Sequence, residues 1–165
     1  MKKFELTSEF NLNFFGRKFF RIKALVNIER YGVKAGDLGG WVEKEDNLSQ
    51  SGNAWVSGDA KVSGNAWVSG DAWVSGDAVV SGDAKVYGNA DYAVIKGFGT
   101  VYRPTTFFRC HDGEARVTCG CFYGTIDEFR EQVKRTRKGK VADEYLKIAD
   151  LMEYHFKKED SGENV

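Results

Sequence analysis

The chain is poor in several features that would announce a function. Its 165 residues carry 24 basic against 24 acidic side chains, for a formal net charge of zero, so no global electrostatic pull toward nucleic acid or a membrane surface is expected. No apolar run approaches the length of a spanning helix. The amino terminus, MKKFELTSEF, has two lysines but no apolar stretch behind them, and so does not read as a secretory signal. Three cysteines, an odd number, argue against a disulfide framework. A soluble, cytoplasmic protein is expected. Histidine is as scarce, with His111 and His155 the two candidates for a general base. The length fits one domain, or a short repeat array with caps.

What the chain has instead is a period. From Ser51 to Tyr92 run seven consecutive hexapeptides: SGNAWV, SGDAKV, SGNAWV, SGDAWV, SGDAVV, SGDAKV and YGNADY. Repeats this short cannot bury an apolar face alone, so they must stack on their neighbours as a solenoid. Each unit divides into a short strand, Ala-x-Val, and a corner, Ser-Gly-Asn/Asp. Alternation sends Ala54 and Val56 to one side and Trp55 to the other. Small and branched residues suit a narrow interior, and Gly with Asn or Asp suits a corner that needs positive φ. The outward positions then hold Trp55, Lys61, Trp67, Trp73 and Lys85. Three tryptophans on one short array make an apolar patch of the kind that marks an interface. These five residues are the expected binding surface, for further copies of the chain or for a foreign partner.

The flanks divide the chain into residues 1–50, a β cap with a first irregular coil, 51–100, the repeat, and 101–165, a hairpin with a helical cap. In KFFRIKALV, Phe20, Ile22, Ala24 and Val26 alternate with Arg21 and Lys23. Gly39-Gly40 is expected to make a tight turn, and Val42 and Leu48 already stand six apart. His111-Asp112-Gly113 is a hairpin signal. Thr125-Ile126-Asp127-Glu128 is a capping box that opens a helix, which Gly139 is expected to end. In a second helix Val141, Tyr145, Ile148, Met152 and His155 share a face. The polar tail after Lys157 is expected to fray.

Candidate chemistry is thin. Cys110, His111, Cys119 and Cys121 are the one cluster of metal-ligand types, and Cys-His mixtures suit tetrahedral zinc. Cys119-Gly120-Cys121 lacks the two-residue gap of a CxxC knuckle, however, so these are weak candidates and no metal is assigned. Neither histidine lies in the repeat, and His111 has no evident orienting carboxylate beyond Asp112. Lys134, Arg135, Arg137, Lys138 and Lys140 crowd a helix end, where cations meet the negative pole of the helix dipole. A solvated helix end is preferred to nucleic-acid contact.

The run AGDLGGWVEKEDNLSQSGNAWVSGDAKV, together with TCGCFYGTIDEF, resembles hexapeptide-repeat proteins of the YdcK-like kind, frequent in bacteriophages and prophages. The resemblance covers nearly the whole chain. It implies a mainly β fold: a left-handed parallel β-helix with an N-terminal β cap and a C-terminal β-hairpin plus two α-helices. Three edges would close a coil of 18 residues, stacking Trp55 under Trp73, Lys61 under Val79, Trp67 under Lys85 and Asp59 under Asp77. A homotrimer is implied as well. The resemblance carries no activity, catalytic residue or cofactor. The expected function is that of a non-enzymatic phage accessory protein that binds a host macromolecule, as in counter-defence, or sequesters a nucleotide. The alternative is an acyl-CoA-dependent acyltransferase, an activity common among hexapeptide-repeat proteins.

Overall fold

The amino-terminal alternation becomes an antiparallel hairpin in the computed structural model, which describes residues 1–157. The tail after Lys157, expected to fray, lies outside the described residues. β1 (Phe4–Leu12) pairs with β2 (Lys18–Ala24), Phe4 opposite Ala24 and Leu6 opposite Ile22. Phe4, Phe19, Ile22 and Ala24 are buried. β2 then pairs antiparallel with β3 (Leu38–Val42). Gly39 and Gly40 lie inside β3 rather than in a turn. A Cβ on Gly39 would stand 2.7 Å from both Ile22 Cγ1 and Trp55 Cζ2, and one on Gly40 2.8 Å from Val56 Cγ1. Here the glycines serve close approach between strands.

The hexapeptides form strands of two residues each: β4 (Trp55–Val56), β5 (Lys61–Val62), β6 (Trp67–Val68), β7 (Trp73–Val74), β8 (Val79–Val80) and β9 (Lys85–Val86). β4 pairs with β7, β5 with β8 and β6 with β9, all parallel, with Trp55 opposite Trp73, Lys61 opposite Val79 and Trp67 opposite Lys85. Backbone bonds continue past the strands into the corners, as from Asn53 N to Gly70 O (3.1 Å) and from Asp59 N to Gly76 O (3.1 Å). The first alanine and last valine of each Ala-x-Val unit, from Ala54 to Val86, are buried in one core with Phe4, Ile22, Leu48 and Trp55.

This inventory overturns the expected fold class. The molecule is a set of mixed sheets with two helices, not a left-handed parallel β-helix. Its largest sheet, β1-β2-β3-β5-β8, is antiparallel on one side and parallel on the other, and a separate four-stranded sheet is wholly antiparallel. The physical reason is strand length. Two-residue rungs in ladders two or three rungs deep supply few hydrogen bonds, and the long antiparallel strands supply most of the sheet.

That second sheet comprises β10 (Tyr92–Ile95), β11 (Thr105–Arg109), β12 (Ala115–Cys119) and β13 (Phe122–Thr125), in sequence order. Alternation gives it two apolar faces. Phe108 and Cys110 join the repeat core, while Phe107, Ala115 and Val117 join a second core with the helices. Thr125 opens α1 (Ile126–Thr136) with the expected capping box: its hydroxyl accepts from Glu128 N at 3.0 Å, and its N–H donates to Glu128 Oε1 at 2.9 Å. Gly139, at φ 65°, does not end α1. It makes the bend at the start of α2 (Gly139–Phe156). The buried face of α2 is Ala142, Tyr145, Ile148, Ala149, Met152 and Phe156, so Phe156 stands where His155 was expected. Arg130 clamps the helices together through Asp150 (2.8 Å) and Glu153 (2.6 Å).

The flanks also close both edges of the parallel ladders. On the carboxy-terminal side Asn89 Oδ1 accepts from Trp73 N (2.7 Å), and Tyr92 donates its hydroxyl to Trp73 O (2.5 Å). Thr106 Oγ1 accepts from Val79 N (3.0 Å), Thr118 donates to Val79 O (2.8 Å), and His111 N donates to Asp83 O (2.9 Å). On the amino-terminal side the buried Asn47 amide donates to Gly64 O (3.1 Å) and Ala66 O (2.9 Å). Lys3, only 4 % exposed, aims its ammonium at Ala54 O (2.5 Å), with Ser51 O and Gly52 O each at 3.5 Å.

Two outcomes follow from these contacts. Gly70 and Gly76 share a left-handed backbone (φ 63° and 65°), but a Cβ on Gly70 would stand 2.5 Å from Tyr87 O and one on Gly76 would meet nothing. Gly76→Ala is expected to cost about 1 kcal/mol from the backbone alone, and Gly70→Ala clearly more. Urea denaturation yielding equal losses would refute the close approach. Burial lowers the Lys3 pKa to about 8 from its ordinary 10.5. Between those values the unfolded chain holds more protons than the folded one, so the Lys3 contribution to stability rises with pH through that window. The stability of wild type relative to Lys3→Met is therefore expected to climb from pH 8 to 10.5. A flat difference would contradict a desolvated lysine.

Candidate functional site

The five outward positions fare differently. Trp55, expected on the surface, is 1 % exposed. Its ring lies over Gly39, where β3 can approach because no side chain intervenes. Lys61 and Lys85 are half-buried. Trp73 is 37 % exposed but engaged: its Nε1 donates to Ser57 Oγ (2.8 Å), and its ring centroid lies 4.9 Å from that of Tyr31. Trp67 is the most open, at 43 %, with Tyr87 edge-on at 6.3 Å.

Around Trp67 the chain builds a groove of about 510 Å³ lined by Asn65, Trp67, Asp83, Ala84, Lys85 and His111. The pairing of β6 with β9 sets Trp67 beside Lys85. One corner below and one above supply Asn65 and Asp83, whose side chains approach at 3.5 Å. The β11–β12 turn delivers His111, anchored by its backbone bond to Asp83 O. Lys85 Nζ sits 5.1 Å from the centre of the Tyr87 ring, a cation–π distance. The groove thus offers an aromatic face, a cation, an amide, a carboxylate and an imidazole in one place. The imidazole of His111 makes no hydrogen bond among the described residues. The neighbouring Asp112 carboxylate is committed to Arg116 (2.7 Å) and Glu114 N (3.0 Å), so it does not orient a histidine base.

No protein-family model and no curated protein matches this chain. What the site can do must therefore be read from its own residues.

The weak zinc candidates do not converge. Cys110 faces the repeat core and Cys119 the helical side of the same sheet, while Cys121 is exposed beyond the turn. Among the described residues no group of three or more His, Cys, Asp or Glu side chains could hold a metal ion. Burial pushes the Cys110 thiol up to about 11. His155 is exposed and pairs with Ala90 O at 3.0 Å. In the basic cluster Lys134 lies 3.8 Å from Glu131 and Arg135 bonds to Gln132. No helix among the described residues is long and apolar enough to cross a membrane.

Two features escaped sequence reasoning. Tyr87, which replaces the serine of the seventh repeat, supplies the second ring beside Trp67. Its break in an otherwise strict serine column was the available signal. Lys96 is the other. Where Asp59 and Asp77 stack like charges, its ammonium lies 2.8 Å from Asp77. The hydrogen bond to Asp77, with the nearby Asp59 charge, raises the lysine pKa. A lysine of the protein itself therefore compensates the stacked acids.

The three thiols are expected to react with Ellman's reagent in the order of their exposure. Cys121 should label first and Cys110 only on unfolding. Early labelling of Cys110 would contradict its placement in the core.

Proposed function

We propose that this chain is a non-enzymatic binding protein of phage or prophage type that engages a host protein, such as a component of an antiviral defence system, through the Trp67 groove. The observation that carries this reading is the exposed Trp67 indole set against Tyr87 and Lys85 at the rim of an open groove. Aromatic anchors flanked by cations are the chemistry of binding hot spots. The neighbouring ladder face, where the Trp73 ring lies against Tyr31, would serve a homotrimer in the cytoplasm of a host cell. Acyl transfer from acyl-CoA is the second reading, favoured by the presence of His111 in the groove wall. It is weakened by the engagement of Asp112 elsewhere.

The test combines native mass spectrometry with cross-linked capture from host cells. Wild type is expected as a trimer with a reproducible protein partner. Trp67→Ala and Lys85→Ala should keep the trimer and cut capture at least tenfold, with His111→Ala unaffected. Acyl-CoA turnover abolished by His111→Ala would overturn the binding reading. Dissociation of the trimer by Trp67→Ala would make that face a subunit contact instead.

A further inference from the structure

On the far side of the four-stranded sheet, away from the Trp67 groove, a cavity of about 180 Å³ lies between β12–β13 and the helices. Its lining combines apolar and cationic side chains. Phe122, Phe129 and Val133 make an apolar wall, with the two phenylalanine rings 5.8 Å apart. Arg103, Arg137 and Tyr145 line the cavity as well. Neither arginine takes part in an ion pair among the described residues. The one side-chain hydrogen bond of Arg137 there is a 3.5 Å contact to the Thr136 carbonyl. Arg103 is nonetheless positioned: its guanidinium lies against Gly120, where a Cβ would overlap it. The glycine between Cys119 and Cys121 thus makes room for this arginine.

Two guanidiniums on one cavity repel each other, and an anion between them reverses the sign of that interaction. Both arginines line this one cavity of about 180 Å³, and Tyr145 is part of the same wall. The volume limits the remainder of the ligand, since an apolar cavity of about 150 Å³ accommodates one benzene ring. We propose that this cavity is a binding site for a small monocyclic carboxylate. The ring packs on Phe122, Phe129 and Val133, and the carboxylate lies between Arg103 and Arg137. This site does not depend on the function assigned to the groove.

Benzoate is the probe, with the neutral isostere benzamide and inorganic phosphate as comparators, followed by protein-observed NMR titration of the full chain. Benzoate is expected to shift the amides of β12, β13 and α1 and to bind at least tenfold more tightly than benzamide. Arg103→Gln and Arg137→Gln should each weaken benzoate at least about tenfold, the scale of a lost charge-assisted bond, and leave benzamide unchanged. Neither side chain makes an ion pair among the described residues, so both variants should melt close to wild type. Equal binding of benzoate and benzamide, or no binding at millimolar concentration, would overturn the proposal. So would phosphate binding as tightly as benzoate, because the apolar wall would then contribute nothing.

Discussion

Everything in this protein depends on closing the edges of very short parallel strands. A two-residue strand has hardly any hydrogen bonds of its own, and an uncovered backbone group in a buried position costs about as much as a lost hydrogen bond. The repeats satisfy backbone groups on one another, through contacts such as Trp55 N to Ala72 O. At the two ends of the stack the flanks take over. There the chain places polar side chains: the buried Lys3 and Asn47 at one end, and Asn89, Tyr92 and the buried Thr106 and Thr118 at the other. The antiparallel sheets are therefore structural partners of the repeat rather than appendages to it.

The same closure places the Trp67 groove and the arginine-lined cavity. Because the carboxy-terminal sheet must cover the repeat with one face, its other face is left to bury the helices, and strand alternation divides residues between the two. Phe108 and Cys110 go one way, Phe107 and Cys119 the other. The turn that completes the cover carries His111 to Trp67 and Lys85. On the opposite face the β12–β13 turn brings Gly120 beneath Arg103 and opens the arginine-lined cavity. One sheet thus borders both the aromatic groove and the anion-adapted cavity.

Electrostatics at the corners follows the stacking as well. Asn53 lies beside Asp71 and Asn65 beside Asp83, with side-chain contacts at 3.0 and 3.5 Å. Asn and Asp therefore alternate along two of the corner columns, which avoids like charges at short range. The third column holds Asp59 and Asp77, and there Lys96 supplies the compensating charge. Its arrival from the segment after β10 could not be read from the hexapeptides.

By itself the sequence determined the local structure. The period set which residues are buried in the repeat, the Thr125 box set the start of α1, and Asp112-Gly113 set the β11–β12 turn, because each depends on residues near one another in the chain. Tertiary packing decided the rest. It covered Trp55, since the Gly39-Gly40 pair that resembles a turn is instead a strand through which β3 closes on that ring. It turned Phe156 rather than His155 inward, and it replaced a parallel β-helix by mixed sheets because two-residue rungs cannot carry the fold. It brought together Trp67, Lys85 and His111, and, across the same sheet, Arg103 and Arg137. Sequence spacing predicts which side of a strand or helix a residue takes. Which element then covers that side depends on chain segments far away, and only the folded molecule brings them into contact.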